Sequence, residues 1–143
     1  MPPAPYLRKL RWNVSLALRI WLTFVLVQTG LRRRPLPELV TGLGRSRRTR
    51  CYGVPPPRLG IIVARVLRLG RRRARCLTSS LVLYRLLRHQ SLPAELVIGL
   101  PETPSDRQAH AWIEVERADI GPPPGRSGHV ELARYGCPPV DRR

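Results

Sequence analysis

Residues 76–100 read CLTSSLVLYRLLRHQSLPAELVIGL, and a change of hydrophobic period within this stretch decides the fold. The first half has the 3.6-residue period of a helix, with its predicted buried face formed by Leu77, Leu81, Tyr84 and Leu87. Ser91 and Pro93 end that helix. Residues 94–100 are almost wholly apolar, which is typical of an internal strand. A helix is therefore followed directly by a buried strand.

The rest of the chain extends this order in both directions. Helical patterns precede it at residues 12–30, 37–43 and 58–69, and two more strand patterns follow at 109–116 and 128–135. Helices first and strands afterwards predict an α+β fold. A length of 143 residues fits a single domain, 1–143, with an N-terminal helical part at 1–70.

The first helix is apolar nearly all round. Val14, Leu18, Trp21, Leu22 and Val25 form one stripe, which Phe24, Leu26 and Val27 widen. Such a helix predicts burial on most sides, against the core or a partner. Arg19 interrupts the apolar run, and residues 20–31 are shorter than the 20 or so needed to cross a bilayer. The sequence therefore predicts no membrane span.

Charge is divided unevenly along the chain. The net charge is +17, and all of the excess lies in residues 1–75, where Glu38 is the single acid. This field attracts polyanions or an acidic partner. The alternative is codon usage in a GC-rich genome, since 25 Arg stand against one Lys. Three widely spaced cysteines, Cys51, Cys76 and Cys137, exclude a disulfide framework and a CxxC motif, which predicts a cytoplasmic protein.

Cys76 begins a predicted helix directly after a run of arginines, Arg71, Arg72, Arg73 and Arg75. Unpaired backbone N–H groups, the helix dipole and nearby cations all favour a thiolate. This predicts a nucleophile. The structural alternative is a small apolar residue packed inside a helix.

The strand at residues 109–116 supplies a base for that nucleophile. Alternation puts His110 on one face with Trp112, Glu114 and Glu116, while Ala109, Ala111, Ile113 and Val115 line the other. A polar face of this kind predicts a cleft. A helix that carries Cys76, packed across a strand that carries His110, brings thiol and imidazole within hydrogen-bond reach.

Four segments in this order carry a family resemblance: RCL at 75–77, LYRLL at 83–87, PAELVIG at 93–99 and HAWIE at 110–114. Together they resemble the transglutaminase-like cysteine peptidases of lasso-peptide biosynthesis, over about the last half of the chain. The resemblance implies a papain/transglutaminase-like core at 71–143, with a Cys-bearing helix on a short antiparallel sheet beneath an N-terminal helical layer. It implies removal of the leader peptide from a ribosomally made precursor, through an acyl-enzyme on Cys76.

The resemblance also implies partners. They are the leader region of the precursor, a separate small leader-recognition protein and a lasso cyclase, because 143 residues leave no room for a fused recognition domain. The sequence requires no cofactor, contains no metal-ligand spacing and does not bear on nucleotide dependence. No nucleic-acid partner is expected.

The third catalytic residue is where the chain departs from the family. The family's Asp, about a dozen residues after the His, falls here near Pro122, and the nearest acid is Asp119. A tight turn at Glu116–Arg117 would pair Asp119 with Glu114 and not with His110. Three alternatives stand: an irregular hairpin in which Asp119 serves, another orienting group, or a Cys76–His110 dyad.

Two other functions are compatible with the same residues. An acyltransferase or deamidase would use the same Cys and His. A non-enzymatic protein that binds nucleic acid would use the basic residues 1–75 instead, but no aromatic-rich basic motif supports it.

Overall fold

The computed structural model describes residues 5–45, 52–70, 75–103, 108–121 and 125–136, and for residues 5–10 the backbone alone. In these ranges helices precede strands: α1 Pro5–Arg33, α2 Leu36–Gly44, α3 Pro56–Arg68, α4 Cys76–His89, β1 Ala94–Pro101, β2 His110–Val115, β3 Ala118–Gly121 and β4 His129–Gly136. This order confirms the α+β class.

The four strands form one antiparallel sheet in the order β3-β2-β1-β4. β1 therefore has a neighbour on each side, which confirms the internal position predicted from its apolar run. α4 packs on β1 and β2 and also contacts α1, α2 and α3, so it is the centre of the domain. Every residue of α4 from Leu81 to Leu87 is buried, except Arg85, which is half-buried.

β3 was not among the strands predicted from the sequence, although the tight turn at Glu116–Arg117 was considered as an alternative. Glu116 and Arg117 both have positive φ, 51° and 68°, which is the type I′ turn that joins antiparallel strands through two residues. The usual marker of this turn is Asn-Gly or Asp-Gly, so Glu-Arg is an uncommon sequence for it. β3 is also only four residues long, too short for a period-2 pattern to emerge.

α1 is longer than predicted and is buried on one side only. It runs without a break over 29 residues, and its buried side chains are Leu16, Ile20, Thr23 and Val27. The expectation of burial on most sides is wrong: the exposed apolar side chains are Trp12, Val14, Leu18, Leu22, Val25 and Leu26, at 41–61%. α2, α3 and α4 all contact α1, and the described residues leave its exposed apolar side chains uncovered.

The length of α1 changes one argument about membranes. Residues Arg11–Arg33 are long and apolar enough to cross a bilayer by length and composition. Core helices and signal sequences have the same composition, so this alone does not identify a span. One face of α1 packs on the helical layer, and Arg19 lies within the apolar segment. The prediction of no membrane span now rests on these two features and no longer on length.

Candidate active site

Cys76 is the first residue of α4 and lies at its open N-terminus. The N-cap residue Arg75 is extended, with φ −63° and ψ 150°, and its side chain does not cap the helix. The first backbone N–H groups of a helix have no acceptor within it, so they point out of this end of α4. The partly buried Cys76 thiol is not in a disulfide with any described residue.

The Cys76 thiol lies near the start of β2. Among the described residues, the pairing of β3 with β2 reaches Ile113, which lies opposite Gly121. Nearer the start of β2, two backbone carbonyl groups lie beside side chains of α4. The Ser80 hydroxyl of α4 donates to the Ala111 carbonyl at 2.9 Å, and the Cys76 Sγ lies 4.0 Å from the Ala109 carbonyl. The thiol is therefore beside the residue that precedes His110.

His110 begins β2 and packs against two other rings. On the sheet it lies opposite Gly99 of β1. Its half-buried imidazole stacks on Trp112, with ring centroids 6.1 Å apart and an angle of 20° between the planes. The ring of His129, from β4, lies 5.2 Å away. These two neighbouring rings restrict the imidazole to few orientations.

Gly99 makes the position of Trp112 possible. A Cβ on Gly99 would lie 2.8 Å from the Trp112 ring and 2.7 Å from the carbonyl oxygen of Val130. Both separations are far below van der Waals contact. The absence of a side chain on Gly99 therefore lets the indole lie across β1, beneath His110.

The polar face of β2 is closed beyond His110 by an ion-pair cluster. Trp112 Nε1 donates to Glu114 at 3.0 Å, and Arg134 donates to the other oxygen of Glu114 at 2.9 Å. Arg134 also pairs with Glu95 at 2.7 Å and with Glu131 at 2.8 Å. Trp112 and Glu114 are buried, at 1% and 0% exposure. This face of β2 is therefore open at one end only: His110 lies at its half-buried end, and the next two side chains, Trp112 and Glu114, are covered.

The cluster shifts the pKa values of Arg134 and Glu131 in opposite directions. The hydrogen bond to Glu131, followed by those to Glu114 and Glu95, raises the pKa of Arg134 above its ordinary value. The Arg134 hydrogen bond in turn lowers the pKa of Glu131, against a smaller opposing effect of desolvation. Both shifts favour the charged form of the residue concerned, Arg134 or Glu131.

Asp119 occupies a different site from His110. The register pairs it with Glu114, as the turn at Glu116–Arg117 predicted. The hairpin is irregular, with a register shift between Ile113 and Glu114. The exposed Asp119 carboxylate accepts the backbone N–H groups of Gly121 at 2.9 Å and Arg126 at 2.8 Å. These bonds shape the loop between β3 and β4.

His129 is the neighbour of His110 that sequence reasoning missed. In the sequence, His129 has no metal-ligand spacing with Cys51 or Cys137, and the described residues contain no cluster of three or more metal-binding side chains. Its Nδ1 lies 2.8 Å from the Ser127 carbonyl. The sequence did contain a signal for this neighbour, because the predicted strand at 128–135 places His129 at a strand end, as the strand at 109–116 does for His110. Cys51, Cys137 and Arg71–Arg73 lie outside the described residues.

Comparison with known families gives one match. The model of the Transglutaminase-like superfamily matches residues 10–131, which is most of the chain. Comparisons with curated proteins and with solved structures found no significant match. The matched segment includes Cys76, His110 and the helices that precede them.

Proposed function

Because this chain belongs to the transglutaminase-like superfamily, which includes cysteine proteases, we propose that it is a cysteine peptidase that removes the leader from a lasso-peptide precursor. The observation that supports the proposal is the position of the Cys76 thiol, at the open N-terminus of α4 and 4.0 Å from the carbonyl of the residue before His110. The motifs quoted from the sequence support the choice of substrate.

The proposed reaction has two halves. The Cys76 thiolate attacks the carbonyl carbon of the scissile peptide bond, and its oxygen takes the negative charge. The protonated His110 gives its proton to the leaving amine as the C–N bond breaks, which frees the core peptide and leaves the leader as a thioester. His110 then removes a proton from water, which attacks the thioester and releases the leader acid. The backbone N–H of Cys76 is our candidate for an oxyanion-hole donor.

We assign the orientation of His110 to packing and not to Asp119. The stacked Trp112 and the neighbouring His129 ring support this assignment. So does the Asp119 carboxylate, which is occupied by two backbone N–H groups of its own loop. On this reading Cys76 and His110 work as a dyad.

Delivery of the substrate is assigned to a separate protein. The matched segment covers most of the chain and includes the helical layer as well as Cys76 and His110. A recognition protein that holds the leader would present the scissile bond at high effective concentration, so weak contacts at the cleft would suffice. The lasso cyclase would then receive the freed core peptide.

The test is cleavage of the full precursor, followed by mass spectrometry, with and without the recognition protein. Cys76→Ala should lower the rate roughly 10³-fold or more, because it removes the nucleophile. Cys51→Ser and Cys137→Ser are the matched controls and should keep most of the activity. The partner should raise the wild-type rate at precursor concentrations far below saturation.

Each contrary result has its own meaning. Normal cleavage by Cys76→Ala would refute the assigned nucleophile. A product heavier than the precursor by about one mass unit would identify a deamidase, and a larger adduct an acyltransferase, in place of hydrolysis. Equal wild-type rates with and without the partner would refute the proposed delivery.

A further inference from the structure

A groove of about 540 Å³ runs between α1 and α4, on the exposed side of α1. One wall is aliphatic and consists of Leu18, Leu22 and Leu26, which are 46–61% exposed. The opposite wall is the last turn and a half of α4, where Arg85, Leu86 and His89 line the groove beside Tyr52. The wall that sequence reasoning expected to be buried is therefore half of an open groove.

Arg85 is a cation without an opposite charge in this groove. It is half-buried among the described residues, none of whose carboxylates forms an ion pair with it. Burial lowers the pKa of Arg85, with a smaller opposing effect from Tyr52. Desolvating a guanidinium that lacks a carboxylate costs free energy. A carboxylate brought in by a ligand would recover that cost.

The groove is separate from the candidate active site. Arg85 follows Cys76 by nine residues along α4, which is about 14 Å of helix. A ligand in the groove would leave the open N-terminus of α4 accessible. Binding in the groove requires no step of the proposed reaction.

Charge decides between the possible occupants. A second copy would bring the same basic surface, because residues 1–75 hold one acid and carry all of the +17 excess, so two copies would repel. A bilayer surface is broad and nearly flat, so it would reach the exposed leucines but would not fill a recess that holds a half-buried cation. A protein segment with aliphatic and acidic side chains satisfies both walls.

We propose that the α1–α4 groove binds an amphipathic segment of another protein, which inserts aliphatic side chains along Leu18, Leu22 and Leu26 and places a carboxylate against Arg85. Apolar contacts would supply the affinity for this segment, and the single ion pair would fix its register in the groove. Arg19 lies on the same groove and adds to the preference for an acidic segment.

The experiment selects a ligand without assuming its identity. A random 16-residue peptide library displayed on phage is panned on the full chain, with Leu22→Asp as counter-selection and Leu69→Asp as matched control. Leu22 and Leu69 are 61% and 84% exposed, so neither change disturbs the core, and Leu69 lies outside the groove. We expect the selected peptides to contain paired aliphatic residues with an Asp or Glu within one helical turn of them. These peptides should bind the wild-type protein and the Leu69→Asp variant but not the Leu22→Asp variant.

A second step measures the ion pair with the selected peptide. Arg85→Gln should weaken binding of the selected peptide about tenfold. It should have little effect on binding of a peptide whose Glu is replaced by Gln, because that peptide has already lost the ion pair. Arg68→Gln, an exposed change on α3, is the control for general attraction to the basic surface. The proposal would be overturned if Arg85→Gln and Arg68→Gln weakened peptide binding equally. It would also be overturned if the library yielded no acidic peptides whose binding depends on Leu22. Binding of wild type to phosphatidylglycerol vesicles that Leu22→Asp abolishes would overturn it in favour of a membrane surface.

Discussion

At the scale of single residues, His110 and Asp119 differ in the groups that each contacts. The imidazole of His110 contacts Trp112 and His129, while the Asp119 carboxylate is held by two backbone N–H groups of the β3–β4 loop. An acid that orients a catalytic histidine must reach the ring. Asp119 is therefore placed to support a loop.

The first prediction compares the two side chains. His110→Ala should lower the cleavage rate about 10²- to 10⁴-fold, because it removes the proton carrier. Asp119→Ala should lower it less than about tenfold and destabilise the fold by roughly 1–2 kcal/mol, because two charge-assisted hydrogen bonds are lost. Steady-state rates and urea unfolding measure both effects. An Asp119→Ala rate as low as that of His110→Ala would show that Asp119 completes a triad.

A second prediction concerns Gly99. Gly99→Ala puts a methyl group into the Trp112 ring and the Val130 carbonyl, so we expect destabilisation of about 1–3 kcal/mol and a displaced indole. The rate should fall as well, because Trp112 supports His110. Gly42→Ala is the control: its nearest neighbour would be Arg34 at 3.9 Å, and alanine suits a helix better than glycine. Unchanged Trp fluorescence and an unchanged rate in Gly99→Ala would contradict this account.

At the scale of elements, Arg134 ties three strands together. It reaches from β4 to Glu95 on β1 and to the buried Glu114 on β2. Arg134→Gln should cost about 3–5 kcal/mol in urea unfolding, because it leaves the Glu114 carboxylate buried without its cation. Arg117→Gln, in the exposed β2–β3 turn, should change stability by less than about 0.5 kcal/mol. A loss for Arg134→Gln no larger than that control would contradict the role assigned to the cluster.

The pH dependence of the same cluster has a definite sign. Because Arg134 lowers the pKa of Glu131 in the folded state, the protonated form is favoured more in the unfolded chain. The stabilisation is therefore present above the ordinary carboxyl pKa of 4.5 and is lost as the pH falls through the lower, folded value. Glu131→Gln should flatten that part of the stability curve, by a small amount because Glu131 is exposed.

At the scale of the whole molecule, the helical layer separates two surfaces. One end of α4 carries Cys76 at the edge of β2, and the other end forms the groove with α1. The long axis of α4 sets the distance between them. A protein held in the groove would therefore be positioned relative to the candidate active site without covering it.

The last prediction concerns α1 as part of the assembled domain. Although Arg11–Arg33 has the length of a span, Leu16, Ile20 and Val27 are buried against the other helices, and Arg19 would lie within the bilayer. We expect the chain to be recovered without detergent, and any membrane-associated fraction to be released by alkaline carbonate. Recovery only in detergent would show that α1 crosses the membrane.

The sequence by itself determined the elements whose signal is local. α4, β1 and β2 lie within one or two residues of their predicted bounds, because helical and strand periods are set by neighbouring residues. The same holds for the pairing of Asp119 with Glu114, because a two-residue turn fixes the register of its hairpin. The internal position of β1 followed from its unbroken apolar run.

Only the tertiary structure decided which surfaces are covered. Whether Leu22 is exposed depends on where α2, α3 and α4 pack, and whether Glu114 is buried depends on Arg134, which lies 20 residues further along the chain. The Cys76 thiol lies beside the Ala109 carbonyl because α4 packs across β2, a contact between segments 33 residues apart that neither segment encodes. Local periodicity determines which face of an element is apolar, but contacts between distant segments determine which apolar face is buried.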